Sequence, residues 1–156
     1  SVDYGLSAVD SVNQVFYAIS YDDDNLPVLS VVNIRTLSFE QVTVSTSGVN
    51  RRLLAMNSHF LMNAEFDATS GSVVCLFASR GCGQNYVLQI TPGDGSTTVL
   101  DVVNGSISHH IRAMDPFTST YYLMLEDDGQ QLVAVNTDPN YGPSPCEDAG
   151  GKCQLM

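Results

Sequence analysis

The sequence predicts an all-β protein built from repeated antiparallel sheets. Runs rich in Val, Ile, Tyr and Phe recur roughly every eight to twelve residues with turn signals between them, and helical periodicity is scarce. A unit made of a short strand, an aspartate, a turn and a second strand also occurs three times. Its copies are Leu6–Asp10 before Val15–Ile19, Asn63–Asp67 before Val73–Phe77, and Ile111–Asp115 before Tyr121–Leu125.

Length and charge restrict the possible classes of protein. At 156 residues the chain suits one domain with a substantial core. Only 15% of the residues are charged, and Ser, Thr, Asn, Gln and Gly replace them, as on secreted β-rich proteins. The net charge of −11, without a Lys/Arg cluster, disfavours nucleic acid and anionic membranes as partners. No apolar run approaches the ~20 residues that span a bilayer, so membrane insertion is not expected.

The beginning of the chain and its cysteines favour an extracellular location. The sequence starts at Ser1 without a signal peptide, which we interpret as a processed protein or a segment of a longer one. Four cysteines allow three pairings, and we predict the two local disulfides, Cys75–Cys82 and Cys146–Cys153. The single glycosylation sequon begins at Asn104 and fits the same compartment.

The strands of the first two repeats follow from β-branched runs and their turns. In the first repeat we predict Val15–Tyr21, Pro27–Asn33 and Phe39–Ser45, while Leu53–Met56 suits a short helix or a strand. In the second repeat we predict Ser72–Ala78, Tyr86–Thr91 and Ser96–Val103, with the clearest turn at Pro92–Gly95.

The third repeat is expected to be shorter than the others. It provides Ile111–Asp115, Thr120–Leu125 and Gln131–Asn136, and no strand of comparable quality follows. We therefore expect one domain over residues 1–140, with approximate repeats 6–60, 61–110 and 111–140, followed by a polar, disulfide-stapled tail over 141–156.

The repeat resembles the general β-propeller blade, in which Asp is followed by a turn and a Tyr- or Val-rich second strand. Asp10 and Asp67 lie 57 residues apart and Asp67 and Asp115 lie 48 apart, near the ~40–50 residues of a four-stranded blade. Ala8, Ala64 and Ala113 suit innermost strands, which tolerate only small side chains. Within the repeats there is neither a WD dipeptide nor a kelch double glycine, and a β-sandwich is the alternative fold.

Three repeats are fewer than the four to eight blades of a closed propeller. The resemblance therefore implies an array that is open or incomplete in a single chain. Open arrays expose sheet faces and strand edges, which natural proteins avoid. We expect partner chains to complete the array, a head-to-tail assembly, a strand donated by a neighbour, or further blades in a longer chain.

The recurring carboxylates have a functional and a structural interpretation. Asp22, Asp23 and Asp24 offer oxygen ligands to Ca²⁺, but they lack EF-hand spacing, and a solvated hairpin tip is the simpler interpretation. Asp127 and Asp128 are interpreted in the same way. Asp10, Asp67 and Asp115 could ring a channel and bind a cation, whereas one identical acid per repeat favours a structural Asx-type turn.

Histidines and aromatic residues give no catalytic set. His59, His109 and His110 are expected in loops between repeats, as surface or interface residues, because no nucleophile motif accompanies them. Tyr121–Tyr122 and Phe16–Tyr17 could stack on sugars, but adjacent strand residues face opposite ways, and core packing explains at least one of each pair.

We therefore expect a non-catalytic extracellular structural, assembly or adhesion module that acts through self-association as a homo-oligomer or filament, or through pairing with other chains. A carbohydrate- or Ca²⁺-dependent binding propeller is the second hypothesis, and a glycan partner and Ca²⁺ belong to it. An enzyme that uses acids at the centre of a completed ring is the third. No other cofactor is expected.

Overall fold

The protein consists of three antiparallel β-sheets of four strands each. The computed structural model describes residues 6–45, 59–79, 83–115, 117–126, 130–138 and 152–154. The described strands are β1 (Leu6–Asp10), β2 (Val15–Tyr21), β3 (Pro27–Asn33), β4 (Ser38–Thr43), β5 (His59–Asp67), β6 (Ser72–Ser79), β7 (Gln84–Ile90), β8 (Thr97–Asn104), β9 (Ile107–Asp115), β10 (Thr120–Leu125), β11 (Gln131–Asn136) and β12 (Lys152–Gln154). The predicted all-β class is confirmed, and none of the sheets is closed.

Each sheet is made almost entirely from one continuous stretch of chain. The first sheet has the order β1-β2-β3-β4 and the second has β5-β6-β7-β8, so neighbours in sequence are neighbours in space. The third sheet has the order β9-β10-β11-β12, again as an antiparallel meander. Hairpins of this kind are what short connections between antiparallel strands produce.

The prediction that the third repeat lacks a fourth strand is wrong. Lys152–Gln154 forms β12, which pairs with β11 so that Gln131 lies opposite Gln154 and Val133 lies opposite Lys152. Sequence pattern did not indicate this strand, because three residues are too few to show an alternation. The third sheet therefore completes itself with residues from the predicted tail. Leu53–Met56 lies outside the described residues.

The three sheets pack face to face, and the second lies between the other two. Its β6 residues Val73, Cys75 and Phe77 pack with the first sheet, whereas Val74 and Leu76 pack with the third. Successive residues of a strand point to opposite faces, so a strand buried on both sides becomes continuously apolar. The run from Val73 to Ala78 follows from this position.

We name the two faces of each sheet by their relation to the recurring aspartate. The front face carries the residue before Asp10, Asp67 or Asp115, and the rear face carries the aspartate itself. The rear face of the first sheet meets the front face of the second, and the rear face of the second meets the front face of the third. First strands lie side by side, with β1 next to β5 and β5 next to β9.

The turn between β7 and β8 fastens the second sheet to the first. Ser45 N donates to Gly95 O at 2.7 Å, and Thr97 Oγ1 donates to Ser45 O at 2.8 Å. Gly95 has a φ of +70°, and a Cβ at this position would overlap the backbone of Thr43. Only glycine therefore allows this approach.

Within the described residues there is no helix long and apolar enough to span a bilayer.

Candidate interaction surface

The recurring aspartates each fold the turn that follows their own strand. Asp10 Oδ1 accepts hydrogen bonds from Val12 N and Asn13 N, both at 3.0 Å. Asp67 Oδ1 accepts one from Thr69 N at 3.0 Å. Asp115 Oδ1 accepts one from Phe117 N at 2.9 Å. These are Asx-type turns, the structural role that the repeat favoured over a cation-binding ring.

The turns share their conformation as well as their first residue. Each closes a hairpin with four residues between the paired ends, as in Asp10 opposite Val15 and Asp67 opposite Ser72. The fourth turn residue has positive φ in all three repeats, at Gln14 (57°), Gly71 (67°) and Ser119 (49°). The three turns are therefore structurally equivalent, which allows residues of different sheets to be compared position by position.

Asp67 also joins the second sheet to the third. It is fully buried, and its Oδ2 accepts a hydrogen bond from Thr137 Oγ1 at 2.7 Å while its Oδ1 accepts one from Ser119 Oγ at 3.3 Å. Ser70 Oγ adds a bond of 2.8 Å from the turn itself. Several donors compensate the burial of this polar group. The motif repeats in sequence, but this link between sheets was not predictable from one repeat.

Hydrogen bonds also change the pKa values of Asp10, which is buried, and of Asp115, which is partly exposed. For Asp10, burial raises the pKa, but the bonds from Asn13 and Val12 outweigh it and hold the pKa below its usual value of 3.8. The bonds from Phe117 and Thr118 lower the pKa of Asp115 in the same way. Both favour the ionised carboxylate in the folded protein.

The candidate calcium ligands form a hairpin tip. Asp22 Oδ1 accepts hydrogen bonds from Asp24 N at 3.0 Å and Leu26 N at 2.8 Å, and Asp22, Asp23 and Asp24 are exposed. This oxygen therefore organises the turn itself. No cluster of three or more metal-ligating side chains occurs in the described part of the chain. Asp127 and Asp128 lie outside it.

Cys75 is a free, fully buried cysteine, so the predicted Cys75–Cys82 disulfide finds no support in the structure. Its neighbours across the sheet are Ala64 and Leu88, in the core between the first two sheets. Burial raises the pKa of its thiol, because an apolar core disfavours the thiolate. Cys82 and Cys146 lie outside the described residues, and Cys153 belongs to β12.

The histidines do not lie in loops between repeats, so that prediction is wrong. His59 is the first residue of β5, and His109 and His110 lie within β9, because both strands begin earlier than their apolar runs indicated. Asn104 ends β8 and is exposed, as an acceptor for a glycan requires. Its glycosylation stays a prediction.

The front face of the first sheet is uncovered, and it is apolar in the row next to the Asp10 turn. A cross-strand row runs over all four strands, from Val9 to Phe16, Val32 and Phe39, each directly opposite the next. Val9 is 53% exposed and Phe39 is 63% exposed, while the two central residues are half-buried. This row is therefore a candidate interaction surface.

Exposed hydrophobic residues concentrate at this end of the first sheet. Among the described residues, seven large hydrophobic side chains are exposed, and five of them belong to the first sheet or its turns. They are Val9, Val12, Ile34, Leu37 and Phe39. The two turns involved are adjacent, since Ile34 N donates to Gln14 O at 2.9 Å. The patch is thus a local feature and not a general property of the surface.

The rear face of the third sheet is open only on its β9 side. Ala113 is exposed and lies opposite Tyr122, which is half-buried and lies in turn opposite Ala134. Ala134 and Met124 on the same face are already buried. The open part of this face is therefore its β9 side. Among the predicted inner alanines, Ala8 and Ala64 are buried and Ala113 is not.

Comparison with known proteins does not assign the chain to a group. No family model matches the sequence, and a search of curated proteins finds no significant relative. The apolar row of the first sheet and the open β9 side of the third sheet are therefore the features that bear on function. Sequence reasoning predicted open faces in general but missed the particular row on the first sheet. Only the register of the four strands reveals this row, and that register is not known until the hairpin turns have been placed.

Proposed function

We propose that this protein is a non-catalytic structural module that acts through self-association. The observation that carries this proposal is the uncovered apolar row Val9, Phe16, Val32 and Phe39 on the front face of the first sheet. Exposing such an apolar row to water is unfavourable, and covering it stabilises the protein by about 25 cal/mol per Å² of apolar surface removed from water.

The proposal is supported by the contrast between this face and its equivalents. Val73 and Ile90 hold the positions of Phe16 and Val32 in the second sheet, and both are 0% exposed because the first sheet covers them. The first sheet carries the same kind of side chain without a cover. An added sheet would bury this row as the first sheet buries that of the second.

The same reasoning links the module to a propeller-like closure and to an extracellular setting. Stacked four-stranded meanders with adjacent first strands have the arrangement of neighbouring blades, and further sheets would complete the array. The low fraction of charged residues, 15%, and the exposed sequon at Asn104 favour secretion. Expression through a secretory pathway, with and without a glycosidase that removes N-glycans, tests that location by mass.

Sedimentation equilibrium over roughly 1–100 µM protein tests the proposal directly, since this range brackets weak protein–protein affinities. We expect a mass above the 16.8 kDa of one chain that falls on dilution. A single species of 16.8 kDa at every concentration would remove self-association as the function.

A further inference from the structure

We propose that the open β9 side of the rear face of the third sheet docks on the apolar row of the front face of the first sheet of a second copy of this chain, head to tail. The inference rests on the proposed self-association and names the two surfaces that meet. Two copies would form both contacts at once and so close a ring of six sheets.

The first support is that the same contact already occurs twice inside the chain. The rear face of the first sheet meets the front face of the second, where the rings of Tyr17 and Phe66 stack at 5.3 Å with 15° between their planes. The rear face of the second sheet meets the front face of the third, where Leu76 and Val87 pack with Tyr121. Rear-on-front packing is therefore the rule by which these sheets associate.

The second support is that the open rear face repeats the composition of a covered one. Ala113 lies opposite Tyr122 in the third sheet, as Ala8 lies opposite Tyr17 in the first. In both pairs the alanine lies two residues before the recurring aspartate in the sequence. Ala8 is 5% exposed beneath the second sheet, whereas Ala113 is exposed. Tyr122 thus places an aromatic ring at the position from which Tyr17 stacks on Phe66 of the neighbouring sheet.

The third support is that the open front face carries the matching half. Val9 occupies the position of Phe66, on which Tyr17 stacks, and Phe16 occupies the position of Val73. An apolar side chain at each of these positions gives Tyr122 of a second copy a surface to pack against. The β9 side of the rear face and the apolar row of the front face are hence the two halves of one contact.

The turns at the sheet ends are also complementary. Asp10 and Asp67 are buried beneath the following sheet, but Asp115 is partly exposed. Ser119 in the third sheet donates to Asp67 in the second, and Gln14 holds the equivalent turn position in the first sheet. In the head-to-tail contact, the side-chain amide of Gln14 would approach Asp115 of the other copy and donate a hydrogen bond to it.

The number of copies follows from the number of sheets. A rear-on-front contact joins unlike surfaces, so it either closes into a ring or continues as a filament. Radial arrays of four-stranded sheets close with four to eight sheets, and two copies of three sheets supply six. Three copies would supply nine, outside that range.

Complementation between two blocked variants tests the inference. Val9→Glu places a charge on the front face, Ala113→Glu places one on the rear face, and Val102→Glu is the control at an exposed valine away from both faces. Sedimentation velocity would measure each variant alone and the equimolar mixture of the two blocked variants. Far-ultraviolet circular dichroism establishes that each is folded, and Phe39→Glu replaces Val9→Glu if that variant does not fold.

We expect the unmodified chain and the control to form a two-copy species. Each blocked variant alone is expected to self-associate about 30-fold or more weakly than the unmodified chain, as for a central interface residue. Their mixture should recover a two-chain species, because the intact rear face of one variant meets the intact front face of the other. Both substitutions introduce the same charge, so the recovery cannot come from a new ion pair.

The possible failures are distinguishable. An unmodified chain that stays monomeric overturns self-association itself. If the unmodified chain pairs but only one of the two blocked variants loses pairing, like faces meet, and the head-to-tail contact is wrong while self-association stands. If both lose pairing but the mixture does not recover it, or if the unmodified chain forms species larger than two copies, the six-sheet ring is overturned.

Discussion

Replacing Gly95 by alanine is expected to destabilise the fold more than the same replacement at Gly71. Both glycines have positive φ, +70° and +67°, so both variants incur a backbone strain of about 1–2 kcal/mol. At Gly71 the added Cβ meets no atom within 4 Å. At Gly95 it overlaps the backbone of Thr43 and approaches Val42 Cγ1 at 2.9 Å. This overlap forces the two sheets apart.

The difference between the two variants isolates the steric effect. Backbone strain and the lost flexibility of the unfolded chain are the same for both, so they cancel in the comparison. Overpacking at a tight site costs about 1–3 kcal/mol, and the hydrogen bond from Ser45 N to Gly95 O, 2.7 Å long, would weaken as well. We therefore expect Gly95→Ala to lose about 2 kcal/mol more than Gly71→Ala.

Urea unfolding followed by circular dichroism measures this difference. About 2 kcal/mol corresponds to a melting temperature roughly 4–8 °C lower for a chain of this size. The slope of the free energy of unfolding against urea concentration should stay unchanged, because the surface exposed on unfolding is the same. Equal losses for the two variants would show that the turn does not approach the first sheet as described.

Three further predictions concern buried polar groups and protonation. Thr137→Val should lower the free energy of unfolding in urea by about 1–3 kcal/mol, because Asp67 loses a buried hydrogen-bond donor. Thr98→Val, at an exposed site, is the control and should lower it little. Equal effects of the two substitutions would contradict the link between the second and third sheets. The pKa of Asp10 in the folded protein is lowered from 3.8, so the ionised carboxylate contributes fully to stability above about that pH. This contribution disappears as the pH falls through the folded-state pKa. The urea midpoint of Asp10→Asn should therefore depend less on pH below 4 than that of the unmodified chain, and identical pH profiles would refute this. Cys75 should resist alkylation in the native protein at pH 8 and react after unfolding, and peptide mass mapping measures both. Rapid labelling of the native protein, or a disulfide at Cys75, would contradict a buried free thiol.

The sequence predicted those elements whose pattern is local. β1, β2, β3, β10 and β11 were predicted with the observed ends, because each is a short run rich in apolar residues that is followed by turn residues. The Asx-type turns were predictable for the same reason, since an aspartate acts on the amides two and three residues later. β12 and the early starts of β5 and β9 were missed, because pairing with a neighbour and not their own composition makes them strands.

The candidate surface lay beyond local pattern for a different reason. Val9, Phe16, Val32 and Phe39 are ordinary strand residues in sequence, and only the register of three strand pairs places them in one row. Their exposure further depends on which sheet has a neighbour, as the contrast between Ala8 and Ala113 illustrates. Both are tertiary properties that no window of residues contains.

The position of the second sheet between its neighbours has a consequence for folding. Each sheet is a meander, so its strands meet by closing short loops, which is fast and needs little ordering of distant chain. The central sheet, however, gains its apolar burial only when both outer sheets dock, since β6 faces one with Val73 and the other with Val74. Amides of β6 should therefore exchange with solvent only through global opening, while the outermost β4 opens locally. The most stable part of the molecule is the part least able to exist alone.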